Sequence, residues 1–200
     1  MSTDNDLPIW TIEHSKYVVN DRFLKLRADS CVTPQGGKVD NYYVLELKDW
    51  VNCIAIDDND NIVMLKHYRH GVQKYLSEFI GGGIETTDVS PEEAARRELE
   101  EEAGYTGGTL YHVGTGYPNP ANHRNKVHSF LAVGGKIDRE QNLEVGETII
   151  VEKIPFKTVV EQMSAPGAVY QSLYIAALFY VINFIRASSD PQLQHLKKYL

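Results

Sequence analysis

Gly82–Gly104 reads GGIETTDVSPEEAARRELEEEAG, a glycine-rich turn running into a segment crowded with acid. Ser90 stands at an N-cap position, Pro91 at the first helical position and Glu93 at the third, the pattern of a capping box. Gly104 falls where a left-handed residue stops a helix. The spacing predicts a helix of roughly 13 residues, about 20 Å long. Glu98, Glu101 and Glu102 then share an arc of about 100°, because positions i, i+3 and i+4 lie on one face. Three carboxylates so close repel one another, and Arg97 beside Glu101 neutralises only part of that charge. Ala94 and Ala95 flank the arc and let another segment approach. Hard oxygen ligands in a cluster suit a hard cation such as Mg²⁺, which is held by carboxylates and substrate phosphates. A solvated acidic helix accounts for the carboxylates alone equally well.

The run Arg97-Glu98-Leu99-Glu100-Glu101-Glu102-Ala103-Gly104-Tyr105 resembles the second half of the Nudix box, R-E-U-x-E-E-x-G-U with U a bulky apolar residue. The first half fits less closely. Counted from Gly82, Asp88 stands where the family has Glu and the loop carries one extra residue. Counted from Gly83, Val89 takes that place. The resemblance implies an α/β fold, an α/β/α sandwich of the Nudix type. It also implies that Glu98, Glu101 and Glu102 hold Mg²⁺ (or Mn²⁺), with a backbone carbonyl near Gly82 as a further ligand and Arg97 orienting the acids.

Two hundred residues, 42% of them hydrophobic, suffice for one sizeable core or one domain with a small extension. The net charge of −7 argues against a nucleic-acid-coating surface. Cys31 and Cys53 make no disulfide framework and no metal spacing, and read as buried thiols. The opening MSTDNDLPIW lacks a basic-then-apolar signal pattern, so a cytoplasmic protein is the default expectation.

Residues 10–47 show partial alternation punctuated by Asn20-Asp21 and Pro34-Gln35-Gly36-Gly37, which predicts short antiparallel strands. Enzymes of the ADP-ribose pyrophosphatase branch carry such a sheet and pair subunits with it. The resemblance therefore divides the chain into a strand extension at 1–49 and a Nudix domain at 50–200, and implies a homodimer. Val51–Asp57 and Asn61–Tyr68 read as strands joined by Asp57-Asp58-Asn59-Asp60-Asn61. That turn lacks the glycine and terminal Glu of a calcium loop, so it reads as a hairpin. By the same resemblance Arg69 is a phosphate or ribose contact and Glu78 a substrate contact.

Beyond the box, 109–115 reads as a strand, and Pro120 lies near the family's Ser-Pro-Gly position as a substrate contact. His128 reads as a strand residue, with His123 and Arg124 as weaker substrate candidates. By the same resemblance the acidic loop 136–152 offers Glu144 or Glu147 as the general base; Glu147, directly before the strand Thr148–Val151 as the family's loop glutamate tends to be, is preferred. A mobile carboxylate suits that task because it arrives after substrate. A helix is expected over 155–163. The apolar run 168–185 approaches the length of a membrane span, but Gln171, Ser172 and Asn183 interrupt it, and the family closes its fold with a buried helix there; no membrane partner is expected. A short helix should follow Pro191. The implied reaction is hydrolysis of a nucleoside diphosphate sugar, ADP-ribose or another ADP-sugar first. The alternatives are a GDP-mannose-type sugar hydrolase and a catalytically silent nucleotide-sugar sensor.

Overall fold

The computed structural model describes residues 7–200. They fall into two compact units, one formed by the residues up to Lys48 together with Tyr117–Asn125, the other by Asp49–Gly116 with Lys126–Leu200.

The first unit is a three-stranded antiparallel sheet of β1 (Thr11–Asn20), β2 (Lys25–Val32) and β3 (Lys38–Leu45), in that order. The Asp21 carboxylate accepts from the Phe23 and Leu24 N–H groups at 2.8 Å and closes the first turn. Gly36, at φ 83°, supplies the left-handed residue of the second. Asp29 is buried between Ser15 and the guanidinium of Arg27, which also reaches Glu46. The Tyr117–Asn125 segment joins this unit through Leu45 N–H to Asn122 O at 2.7 Å and Tyr42 Oη to Ala121 O. Strand β1 leaves Ile9, Trp10, Ile12, Tyr17 and Val18 exposed at and beside it.

In the second unit a six-stranded mixed sheet has helices on both faces. Its strands are β4 (Trp50–Ile56), β5 (Asn61–Arg69), β6 (Lys74–Glu78), β7 (Tyr105–Gly116), β8 (Val127–Ile137) and β9 (Ile149–Pro155). The order runs β6-β5-β4-β8-β7, with β9 on β5. Alternation on β4 sorts the core. Val51, Cys53 and Ala55 pack with Val63, Leu65 and Phe130 under α1 (Pro91–Ala103). Ile54 and Ile56 pack with Ile62, Met64 and Leu131 under α2 (Phe156–Ser164) and α3 (Ser172–Ala187). This is the α/β/α sandwich expected. The Asp57–Asn61 turn is a hairpin, with Asp57 Oδ1 accepting from the Asn59 and Asn61 N–H groups.

Three elements differ in extent from the sequence reading. Strand β7 begins at Tyr105 rather than near 109, directly after α1, because Tyr105, Thr106 and Gly107 already pair with Ile137, Lys136 and Gly135 of β8. The buried Tyr105 hydroxyl accepts from Gly135 N–H at 2.9 Å, and a Cβ on Gly135 would lie 2.4 Å from its ring. The apolar run after Pro166-Gly167 turns helical only at Ser172, leaving Val169 exposed. After Asp190, which caps Gln192 N–H at 2.9 Å, α4 (Pro191–Gln194) continues as a 3-10 turn to Tyr199. Among the described residues no single helix is long and apolar enough to cross a membrane.

Candidate active site

The site is built where β4 and β5 part. They pair only at Ala55–Val63 and Ile56–Ile62. Beyond that point the returning chain wedges between them: Lys74–Glu78 lines β5, and then Ile80 and Gly82 bond to β4, with Cys53 N–H to Ile80 O at 2.7 Å and Val51 N–H to Gly82 O at 2.9 Å. Gly81–Gly83 is thereby laid beneath α1. A Cβ on Gly82 would stand 2.2 Å from Glu98 Oε1, and one on Gly81 2.2 Å from Val51 O. Only glycine admits this approach of backbone to carboxylate.

Above the loop, α1 is capped at both ends as its sequence predicts. Ser90 Oγ accepts from Glu93 N–H at 3.2 Å, and Gly104 at φ 61° donates to Glu100 O at 2.8 Å. The Glu93 carboxylate reaches Val89 N–H at 2.6 Å, one residue beyond the N-cap. Ala94, Ala95, Leu99 and Ala103 bury against the sheet and carry Glu98 and Glu102 down with them, to 8% and 3% exposure. Burial pushes Glu98 up to about 7, although the adjacent Arg97 charge pulls it down. Burial likewise pushes Glu102 up to about 8, partly opposed by the Gly81 N–H that its Oε2 accepts at 2.8 Å. Glu101, at the rim of the same arc, stays partly exposed.

Arg97 ties the acids together. Its Nη1 donates to Glu98 Oε1 at 2.8 Å and to Glu101 Oε2 at 2.9 Å. Its Nη2 donates to Gly83 O at 3.0 Å, and with Nε it holds both oxygens of Asp88. Asp88 thus supports Arg97.

A second wall comes from the end of β5. His67 and Arg69 follow Val63 and Leu65 on the same face by alternation, which turns them toward the α1 side. Arg69 grips Glu78 with Nε to Oε1 at 2.9 Å and Nη2 to Oε2 at 2.6 Å, and Tyr174 Oη donates to Oε2 at 3.3 Å. Pairing of β9 with β5 sets Ile149 opposite His67. Glu147 lies two residues before that pair. The Glu147 charge reaches both helix carboxylates and adds to their upward shifts. Glu144 is exposed and contributes through its backbone, its N–H donating to Glu147 Oε2 at 2.8 Å and its carbonyl accepting Glu147 N–H at 3.0 Å.

Of the residues singled out from sequence, the second unit therefore gathers Glu98, Glu101, Glu102, Arg97, Gly82, Arg69, Glu78 and Glu147 around one end of the sheet. Pro120 is exposed in a turn of the first unit, where His123 bridges to Leu45 and Arg124 lies 3.6 Å from Glu46. Tyr174 and His67 belong to the network and escaped the sequence reading. For His67 the signal was available, since it lies two residues before Arg69 on a strand.

The donor set fits a hard divalent cation. Glu98, Glu101, Glu102 and Glu147 outnumber Arg97, Glu78 being held by Arg69, and the two buried helix carboxylates lie against backbone. Among the described residues no three acidic, His or Cys side chains already surround one point, and Arg97 Nη1 bonds to both Glu98 and Glu101. The Gly82 carbonyl spends one lone pair on Val51 N–H and keeps the other. Glu98, Glu101 and Glu102, with that carbonyl, would hold the ion.

Comparison with known proteins agrees with this fold. The NUDIX domain model matches residues 47–172, and the nucleoside diphosphate sugar hydrolase N-terminal domain model matches residues 10–45. An ADP-ribose pyrophosphatase of Bacillus subtilis (strain 168) is 26% identical over 159 residues, 79% of this chain and 83% of that protein. One of Mycobacterium tuberculosis is 34% identical over 109 residues, covering 54% of this chain and 52% of that one. A methanol dehydrogenase activator of Bacillus methanolicus is 24% identical over 168 residues, 84% of this chain and 89% of its own. The crystal structure of an ADP compounds hydrolase shares the fold, with a TM-score of 0.77 at 19% identity over 90% of this chain and 96% of that one. The chain belongs to the Nudix family and is a Nudix hydrolase of the ADP-ribose pyrophosphatase-like kind.

Proposed function

We propose that the protein hydrolyses the diphosphate of a nucleoside diphosphate sugar, ADP-ribose or another ADP-sugar first, in a reaction that depends on Mg²⁺. The observation that carries this reading is the pair of buried carboxylates, Glu98 and Glu102, laid over a glycine backbone with Glu147 within electrostatic reach. A bound Mg²⁺ would offset charge on the diphosphate and acidify water. Glu147 takes a proton from the attacking water, whose oxygen bonds to one phosphorus as the bridging P–O bond breaks. The products are a nucleoside monophosphate and a sugar phosphate. Arg69, partly exposed above Glu78, receives a phosphate oxygen. Arg97 keeps the helix acids oriented.

The exposed apolar side chains at and beside β1 support a homodimer built on the N-terminal sheet, since apolar side chains on an exposed edge strand favour pairing. The extension is taken as 1–49 and the catalytic domain as 50–200, in a cytoplasmic protein.

The test is product release from a panel of nucleoside diphosphate sugars with and without Mg²⁺. Metal-dependent AMP from ADP-ribose supports the reading, and GMP from GDP-mannose alone moves the substrate to the guanine sugars. Binding without turnover of any member makes the protein a sensor and sinks the proposal. Joint replacement Glu101→Gln and Glu102→Gln should abolish turnover and spare the fold.

A further inference from the structure

Glu78 is 2% exposed, and the cation that holds it is the one the proposed reaction calls away. Arg69 is its bidentate partner, yet the Arg69 side chain is 35% exposed, and the reading above gives it a phosphate oxygen to bind. Once Arg69 turns to a phosphate, Glu78 keeps only the hydroxyl of Tyr174. Burial pushes that hydroxyl far above its ordinary value, so it stays a neutral donor. A buried carboxylate stripped of its cation is strongly unfavourable.

One other group stands on the spot. His67 is buried, its Nδ1 has no hydrogen-bond partner, and that atom lies 3.7 Å from Glu78 Oε2. An orphaned buried ring nitrogen is itself a cost that calls for a reason. The charged groups around the ring are Arg69 on its own strand, Glu78 on β6 and Glu147 on the loop before β9. Burial and the Arg69 charge hold His67 below the ordinary histidine value, while Glu78 and Glu147 pull it upward. Departure of Arg69 removes one of the two downward influences and leaves both carboxylates.

Building on the substrate reading above, we propose that His67 is a positioning residue that takes up one proton when Arg69 moves from Glu78 to the diphosphate, so that an imidazolium replaces the guanidinium at the buried carboxylate. The proton comes from solvent and returns there on product release, when Arg69 reclaims Glu78. No substrate bond is made or broken in the exchange. Substrate binding consequently weakens as pH rises, since the proton it requires becomes scarcer.

The experiment is calorimetric titration of a hydrolysis-resistant, methylene-bridged ADP-ribose analogue into Mg²⁺-saturated protein. Two buffers of equal pH and different ionisation enthalpy give the proton count, for wild type and for His67→Gln. Wild type should take up close to one proton more per analogue bound than the variant. Its affinity should fall relative to the variant by up to about tenfold per pH unit in the alkaline range. In wild-type protein labelled at histidine, the His67 ring resonances should pass from the neutral to the charged pattern as analogue is added. Equal proton counts, or a ring that stays neutral in the complex, overturn the inference while leaving the substrate reading intact. Absence of any binding heat from wild type overturns the substrate reading, and the inference with it.

Discussion

Arg97 holds both carboxylate oxygens of Asp88, from Nε at 3.1 Å and from Nη2 at 3.0 Å. The pair joins the loop before α1 to the middle of the helix, and its other contacts fix Glu98, Glu101 and Gly83. The Asp88 side chain is 4% exposed. Replacing Arg97 by Ala leaves three carboxylates and a carbonyl without their shared donor. Loss of one partner from a buried pair costs about 3 kcal/mol, so Arg97→Ala should lower the urea midpoint as well as activity. Arg97→Lys should recover part of the stability and little of the activity, because a single ammonium cannot span Asp88, Glu98 and Glu101 together. A midpoint unchanged in Arg97→Ala would show that the network is decorative.

The helix carboxylates predict an unusual pH dependence of the metal-free protein. Glu98 at about 7 and Glu102 at about 8 both lie above their ordinary value of 4.5. Between those limits the folded state binds more protons than the unfolded state, so stability falls as pH rises from about 4.5 to 8. Thermal melts without divalent ions should show that decline. Added Mg²⁺ should raise the melting temperature more at pH 8 than at pH 5.5, since protons compete with the ion. Glu98→Gln or Glu102→Gln should flatten the decline and shrink the Mg²⁺ effect. A melting temperature that rises with pH in the absence of metal would contradict the burial of these groups.

How far the sequence reaches is clear from α1 itself. Ser90, Pro91 and Gly104 mark its ends, and periodicity puts three glutamates on one arc, all within a window of local chemistry. Periodicity does not say which of them goes under the loop. Glu98 and Glu102 are drawn in beside Leu99 and Ala103, while Glu101 stays at the rim with Arg97. That sorting depends on Ile80–Gly83 wedging against β4, a pairing between residues about 30 apart in the chain that no local pattern encodes. Glu78 shows the same limit. The resemblance suggests a substrate contact, and the fold adds what no local pattern gives: both its oxygens are engaged by Arg69, with Tyr174 arriving from a helix 96 positions away.

Glu147 and Glu144 are three residues apart on one loop and separate cleanly by their contacts. Glu147 lies two residues before the His67–Ile149 pair and within electrostatic reach of Glu98 and Glu102, whereas Glu144 serves it through main-chain bonds that survive a side-chain change. Glu147→Gln should therefore lower kcat by about 10²- to 10⁴-fold, the range for loss of a general base. Glu144→Gln should leave kcat nearly unchanged. Steady-state kinetics on the best nucleotide sugar decides between them, and the reverse ranking would move the base to Glu144.

Asp60 is the anchor of the C-terminus. In left-handed conformation at φ 58°, it accepts from His195 Nε2 and Tyr199 Oη at 2.8 Å each and from Lys198 Nζ at 3.4 Å. Burial alone would raise its carboxyl, but those three donors outweigh it and hold the group below 3.8. A depressed carboxylate stabilises the fold above its unfolded value, and that contribution is lost as pH falls through the folded one. Asp60→Asn keeps the backbone conformation, which Asn tolerates, and removes the charge. It should cost about 1–2 kcal/mol near neutral pH through weakened hydrogen bonds, with the deficit closing as pH drops below about 4. Urea denaturation at pH 7 and pH 3.5 measures both ends. A deficit of the same size at both would show that shape, and not charge, holds the C-terminal turn against the β4–β5 hairpin.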